Sequence, residues 1–311
     1  MERGLLSDPE LAKNYGDVVW MYLFQDFTHS EADRAAERIA IRFGISSWPQ
    51  HFLVDPFTLT KLADTGRNLD SFRAAVKRAK VAPGVAKPSA AELAAADALA
   101  ASIEVGDDLR KAKQCLRHAD RVVVFRALQA IAKRAPKELV PEAASLLAVP
   151  NDQIRGIVCD VLAEHGDIEV RDLLHGIVRD PGQSENPNVM RIRATKALAR
   201  CGDASSLAVI EPFATSGAYR NGLTTMSIGV VAAIAARDGK AKAAAIALLA
   251  KAYPAVPTGG EADAKLAATE RRMCEALAKN VHEALQQLTG KQVAFPSEYT
   301  DETRKTLMAS W

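Results

Sequence analysis

A hydrophobic pair, leucine or isoleucine followed by alanine, recurs five times in the last two thirds of the chain and constrains its fold most strongly. The first members of successive pairs are separated by 31, 36, 36 and 43 residues. Four residues before each pair, one helical turn away on the same face, stands another apolar residue. Periods of about 30–45 residues with small packing residues are typical of stacked helical hairpins. The pairs are Ile131-Ala132, Leu162-Ala163, Leu198-Ala199, Ile234-Ala235 and Leu277-Ala278.

Two of these predicted helices end at a Gly-Asp dipeptide. They read DQIRGIVCDVLAEHGD over residues 152–167 and NVMRIRATKALARCGD over residues 188–203. The second resembles the second helix of a HEAT repeat. The resemblance implies an all-α solenoid of HEAT-type helical hairpins over residues 105–290, with a protein or peptide partner bound on its concave face.

The last residues leave this pattern. Residues 291–311 resemble the short C-terminal extensions of some bacterial HEAT-repeat proteins, particularly planctomycete-type ones. We expect this extension to cap the last repeat.

Aromatic residues are concentrated before residue 73, where the pattern is that of an α/β domain. The run Asp17–Phe24 is apolar and of strand length, which favours a strand covered on both faces. A capping box at Thr28–Glu31 predicts a helix that ends at Gly44. The elements predicted next are a strand at His51–Val54, a strand near Leu59–Ala63 and a helix capped by Asn68.

The segment GISSWPQHFLVDP, residues 44–56, joins a helix end, a proline-initiated bend and a short apolar strand. It resembles the cis-proline segment of the thioredoxin fold. Residues 1–80 therefore resemble a thioredoxin-like domain. The resemblance implies that Trp48, Pro49 and Gln50 flank a groove for an extended peptide. In the alternative interpretation, Pro49 begins an edge strand and Trp48 packs on the core.

The sequence contains no CxxC motif, which in that family precedes the first helix together with a strand. That strand normally lies in the middle of the sheet, and unpaired buried backbone groups cost about 1–3 kcal/mol each. We therefore expect a truncated thioredoxin-like domain, and we expect Met1 to be internal to a longer natural protein.

Between the two halves, residues 81–104 are predicted to form a linker and a capping helix. Val81–Pro88 contains two prolines and a glycine, as linkers often do. Ser89–Glu92 is a capping box that opens the helix. The predicted organisation is thus a thioredoxin-like domain at 1–80, a linker and capping helix at 81–104, a HEAT-repeat solenoid at 105–290 and an extension at 291–311.

Basic residues cluster on one repeat helix, at Arg191, Arg193, Lys196 and Arg200. Such a stripe contacts phosphates when it belongs to a continuous positive groove. The net charge of the chain is only +2. We therefore expect a solvated face, and we keep nucleic-acid binding as a weaker alternative.

We expect no metal, no cofactor and no catalytic residue in the chain as given. The four cysteines are too far apart for a zinc or dithiol motif and are predicted to be buried thiols. His282-Glu283 has the order of the His-Glu pairs in the di-iron enzyme deoxyhypusine hydroxylase, whereas Glu164-His165 reverses it. One pair cannot fill a two-metal site.

These patterns favour a non-catalytic protein-interaction or scaffold protein. The alternative is a fragment of a thiol–disulfide oxidoreductase whose CxxC lies upstream of Met1. No apolar run approaches the roughly 20 residues that a membrane-spanning helix needs. We expect a cytoplasmic protein from the sequence as written, and a periplasmic or secreted one if an upstream leader has been lost.

Overall fold

The computed structural model describes the backbone of Pro9 and Lys13 and of residues 30–45, 51–55, 61–65, 68–79, 88–106, 108–182, 184, 186–218, 221–257 and 264–311, with side chains from residue 268 in the last range. The described residues are mostly helical and include one small two-stranded sheet. The chain divides into two compact units. The first unit comprises residues 1–133 and 151–154, and the second comprises residues 134–150 and 155–311.

Helix α1 of the first unit spans Glu31–Phe43. Its cap is Ser30, whose Oγ accepts a hydrogen bond from the backbone N–H of Asp33 at 3.1 Å. The predicted cap at Thr28 is therefore placed two residues too early, because Ser30 reaches the free N–H groups of the first turn. Gly44 ends the helix at φ 74°, as predicted, in a conformation that favours glycine.

Two paired strands come next in the described residues, β1 (Phe52–Val54) and β2 (Lys61–Asp64). The strands are antiparallel, with Leu53 opposite Ala63, and the register shifts after Leu53. Helix α2 (Leu69–Arg78) is capped by Asn68 as predicted. It buries Phe72 against Leu53. The predicted strand at residues 17–24 and most of the predicted linker lie outside the described residues, so the thioredoxin-like topology stays a prediction.

Three further helices belong wholly or almost wholly to the first unit. Helix α3 opens with the predicted capping box, in which Ser89 and Glu92 each bind the other's backbone N–H. The helices are α3 (Ala90–Val105), α4 (Leu109–Cys115) and α5 (Arg121–Arg134).

Helix α1 is fastened to α3 and α5 by ion pairs. Arg42 pairs with Asp97 and, at 2.9 Å, with Asp120. Arg126 Nη2 lies 2.8 Å from Glu37 Oε2. Opposite charges in partly buried positions interact more strongly than exposed ones. Thus α1 is held by direct contacts and not only through the chain that joins it to α3.

The second unit continues with short 3₁₀ turns and a series of helices. Helix α7 begins in residues assigned to the first unit. In chain order the helices are α6 (Ala143–Leu147), α7 (Asp152–His165), α8 (Arg171–Arg179), α9 (Pro187–Cys201), α10 (Ala204–Ala214), α11 (Gly222–Arg237), α12 (Lys242–Lys251), α13 (Ala264–Thr289) and α14 (Asp301–Ala309).

These helices pack in two rows. In the first row α8 contacts α10, α10 contacts α12, and α12 contacts α14. In the second row α9 contacts α11, and α11 contacts α13. Each first-row helix from α8 to α12 also packs against the second-row helix that follows it in the chain. This arrangement is compatible with an all-α solenoid.

The leucine or isoleucine of each repeated pair lies in the core, as predicted. The first member of each pair is at most 2% exposed. The residue one turn earlier is also buried in the first four cases, but Met273 in α13 is 36% exposed. There the prediction is wrong, because Cys274 takes the buried position beside Leu277 and Val281 at helical spacing.

Candidate functional site

The predicted peptide-binding residues Trp48, Pro49 and Gln50 lie outside the described residues. The described structure resumes at residue 51, where His51 accepts a backbone hydrogen bond from Thr65 at 3.1 Å. The peptide groove therefore stays a prediction.

Two residues of the predicted basic face, Arg191 and Arg193, contact other elements of the second unit. Arg193 Nη1 lies 2.9 Å from Asp160 Oδ2 on α7. Arg191 Nε donates to the carbonyl of Val178 at 3.2 Å, at the end of α8. Arg191 thus joins α9 to α8, and Arg193 joins α9 to α7.

A third predicted basic residue belongs to a repeated contact between helices. In the last turn of α9, Arg200 Nε donates to the carbonyl of Gly166 at 2.9 Å, just after α7. In the last turn of α11, Arg237 donates to the carbonyls of Ala199 and Gly202, at the end of α9. The last carbonyls of a helix lack partners within the helix and carry partial negative charge. Each arginine therefore caps the end of the helix that lies two before its own in the chain.

Two aspartates that follow the ends of α9 and α11, Asp203 and Asp238, also take part in contacts between helices. Asp203 caps α10 by accepting from the backbone N–H of Ser205 at 2.9 Å, and it also forms an ion pair with Arg171 on α8. The hydrogen bonds from Ser205, followed by that from Arg171, lower the pKa of Asp203. One repeat later, Asp238 accepts from the backbone N–H of Ala204 at 3.2 Å. Sequence reasoning missed both roles, although the Gly202-Asp203 dipeptide signalled that of Asp203.

Ser206, His175 and Asp172 lie in an arrangement that resembles a catalytic triad. Ser206 Oγ is 2.7 Å from His175 Nε2, and His175 Nδ1 is 3.8 Å from Asp172 Oδ1. However, Ser206 is fully buried and its hydroxyl also accepts from the backbone N–H of Asp203 at 3.2 Å. The carboxylate of Asp172 is engaged by Arg171 at 2.9 Å.

Nucleophilic catalysis needs a hydroxyl that substrate can reach and a base oriented by a hydrogen bond. The buried Ser206 and the 3.8 Å separation meet neither condition. Burial, with a smaller contribution from Arg179, lowers the pKa of His175. The arrangement therefore joins α8 to α10 with a neutral imidazole.

All four cysteines are buried free thiols, as predicted. Burial raises the pKa of Cys159 to about 12, and it raises the pKa of Cys201 and of Cys274 to about 11. Because the thiolate is the reactive species, such groups are poor nucleophiles at neutral pH.

His282, considered above as a metal ligand, is instead at the centre of a chain of hydrogen bonds. Its Nε2 lies 2.7 Å from the carbonyl of Val293, which can only accept, so Nε2 carries the proton. Its Nδ1 then accepts from the hydroxyl of Tyr253 at 2.9 Å, and that hydroxyl accepts from Trp311 Nε1 at 3.0 Å. Among the described residues, no group of three or more His, Cys, Asp and Glu side chains is placed to hold a metal ion.

Further contacts hold the chain's last residues on the same surface. Arg304 Nε donates to the carbonyl of Tyr253 at 2.9 Å, and the hydroxyl of Tyr299 donates to the carbonyl of Pro254 at 2.7 Å. The rings of Phe295 and Trp311 each lie 5.3 Å from the ring of His282. A cleft of about 500 Å³ remains between α13 and residues 292–295, lined by Lys279, Glu283 and Gln286 among others.

Helix α11 presents an uncharged face to solvent. It carries no charged residue before Arg237. Thr225, Gly229 and Ala236 are exposed at helical spacing, and a Cβ at Gly229 would have no neighbour within 4 Å. Surface helices usually carry charged residues on the solvent side. This uncharged strip, defined by the three exposed residues, lies on a helix that packs between α9 and α13.

In the parts of the chain that the structure describes, no helix is both long and apolar enough to cross a bilayer. No protein-family model, no curated protein and no solved structure matches the chain.

Proposed function

We propose that the protein is a non-catalytic interaction scaffold, in which a HEAT-type stack of helical hairpins follows a truncated thioredoxin-like segment. The observation that carries this proposal is the uncharged strip of α11, defined by Thr225, Gly229 and Ala236. Small uncharged side chains let the backbone of a partner approach closely, and they keep few bound waters in place. A solenoid binds its partner along such a row of helices and needs no catalytic residue.

The two-row packing and the buried leucine or isoleucine of each repeated pair support the HEAT-type part of the proposal. The gap between the pairs of α7, α9 and α11 is constant at 36 residues. The acceptors of the two arginine contacts, the carbonyls of Gly166 and Gly202, are separated by the same 36 residues. A structure built from one repeated unit reuses its contacts in this way.

The composition of α9 and α11 favours an acidic partner segment. Neither helix contains an aspartate or glutamate, so each keeps a net positive charge although its arginines bind groups of neighbouring helices. Lys196 on α9 is exposed. Complementary charge at the rim of an interface steers association and fixes orientation. We therefore favour an acidic helix or extended segment of another protein as the partner.

The same observations disfavour nucleic acid as the partner. Arg191, Arg193 and Arg200 donate to carbonyls or a carboxylate within the second unit, so their charges already serve the packing of helices. A phosphate-binding groove keeps such donors available to the ligand. The thiol–disulfide alternative depends on a motif upstream of Met1, and the four thiols of this chain are buried.

A carboxylate placed in the strip tests the proposal. We expect Gly229→Glu to weaken binding of the partner by at least about tenfold, since a buried unpaired charge opposes an acidic partner. The matched control is Ala243→Glu, at a position on first-row helix α12 that is also exposed. Partners captured by the purified wild-type chain are identified, and the tightest is titrated against all three proteins. Equal affinity of Gly229→Glu and Ala243→Glu would refute the assignment of the surface.

A further inference from the structure

The last twenty-one residues, 291–311, form an arm that leaves α13 at a single hinge residue, Gly290. Gly290 has φ 72°, and its backbone N–H donates to the carbonyl of Gln286 at 2.8 Å. A Cβ at this position would meet nothing within 4 Å. Backbone conformation, and not space, is therefore what favours glycine here.

The arm docks on a surface that surrounds Tyr253, which is 1% exposed. Both polar groups of Tyr253 that face the arm are used: its carbonyl accepts from Arg304, and its hydroxyl accepts from Trp311. The hydroxyl of Tyr299 binds the carbonyl of the next residue, Pro254. The carbonyl and hydroxyl of Tyr253 and the carbonyl of Pro254 therefore each have a hydrogen-bond partner in the arm.

Helix α14 of the arm occupies the position of a next first-row helix. It packs on α12 as α12 packs on α10 and as α10 packs on α8. The arm therefore contributes a complete structural element, joined to the rest of the chain at one glycine whose backbone can adopt either the left-handed turn or a continued helix. An element with these properties can be exchanged between identical chains, because each receptor surface accepts either copy.

We propose that the arm is exchangeable, so that two copies of this chain form a dimer in which each arm docks on the Tyr253 surface of the other copy. In this dimer α13 continues through Gly290 instead of turning back. The docking contacts are the same in monomer and dimer, so the balance is set by the conformation of the hinge and by protein concentration.

The hinge provides the test. Gly290→Ala disfavours the left-handed turn and favours a continued helix, which shifts the ratio of turned to extended arm by roughly tenfold. Gly290→Asn is the matched control, because asparagine tolerates the left-handed conformation. Molar mass is measured by light scattering over a range of concentrations. We expect more dimer for Gly290→Ala than for wild type, and little change for Gly290→Asn.

Amide exchange then distinguishes an exchanged arm from a released one. In the Gly290→Ala dimer we expect the amides of α14 to stay as protected as in the wild-type monomer. A Gly290→Ala protein with the same mass as wild type would overturn the proposal. A dimer with unprotected α14 amides would also overturn it.

Discussion

Arginines bind carboxylates between elements in both units, and in the second unit a recurring set of arginines also binds the carbonyls of helix ends. In the first unit, Arg42 and Arg126 bind carboxylates of Asp97, Asp120 and Glu37. In the second unit, Arg200 and Arg237 bind backbone carbonyls at helix ends. A contact with a carboxylate requires an aspartate or glutamate at that position, and the carboxylate can be protonated. A contact with a helix end requires no particular residue, because every helix end has free backbone carbonyls, and these do not titrate. Repetition is therefore easier to build with the second kind of contact.

The largest effect should come from the carboxylate contacts. We expect Arg42→Ala to lower the free energy of unfolding by about 2–3 kcal/mol, since it leaves Asp120, with a side chain only 13% exposed, without its cation. Urea denaturation measures this change.

The control for that substitution is Arg73→Ala, which removes an exposed pair with Asp70. Exposed pairs contribute less than about 1 kcal/mol. Equal effects of Arg42→Ala and Arg73→Ala would mean that α1 is not held by its ion pairs.

Arg237→Ala should have an intermediate effect, a loss of about 1 kcal/mol, because a hydrogen bond from a charged donor is lost on a side chain that water also reaches. The loss of stability caused by Arg237→Ala should depend less on salt concentration than the loss caused by Arg42→Ala, since the carbonyl acceptors carry only partial charge. Arg237→Lys keeps the charge but cannot bind two carbonyls in a fork, so it should retain part of the stability. If lysine restores all of it, the fork geometry has no role.

The pH dependence of stability should differ between wild type and His175→Gln. Because burial lowers the pKa of His175 in the folded state, the folded protein binds fewer protons than the unfolded one near the ordinary histidine pKa. Stability is therefore highest above that value and is lost as the pH falls through it. The lowered pKa of Asp203 acts only at more acidic pH. Unfolding measured between about pH 7 and pH 5 should show a smaller loss for His175→Gln, and equal losses would contradict the role of His175.

The smallest effect should be a gain in stability, from removing a buried hydroxyl that has no hydrogen-bond partner. Thr195 Oγ1 and Ser227 Oγ are buried without a hydrogen bond. Thr195→Val should raise the free energy of unfolding by about 0.5–1 kcal/mol, because it removes an unsatisfied polar group at constant volume. Thr224→Val is the control, since the hydroxyl of Thr224 binds Ser216 at 2.9 Å and its loss should destabilise. Thermal unfolding distinguishes the two signs.

The repeat pairs show what the sequence could predict. Leu162, Leu198 and Ile234 are buried because each lies on the inward face of an equivalent helix, and one helical period locates that face. The helix ends at Gly44 and at the Gly-Asp dipeptides were predicted because glycine and a capping side chain act locally.

Contacts between distant residues could not be predicted in the same way. The chain of hydrogen bonds from Trp311 to Tyr253 and His282 joins three segments with no common spacing. Likewise, the sequence shows Arg200 only as one of four basic residues on a helix, and its contact with the end of α7 is visible only in the structure. A charge pattern does not reveal whether a guanidinium faces solvent or a neighbouring helix.

The scaffold proposal is tested most directly by amide hydrogen exchange of the second unit with and without the bound partner. We predict that the partner slows exchange in α11, around Gly229, and on the neighbouring faces of α9 and α13. Protection confined to the first-row helices α8, α10 and α12, with α11 unchanged, would contradict the account.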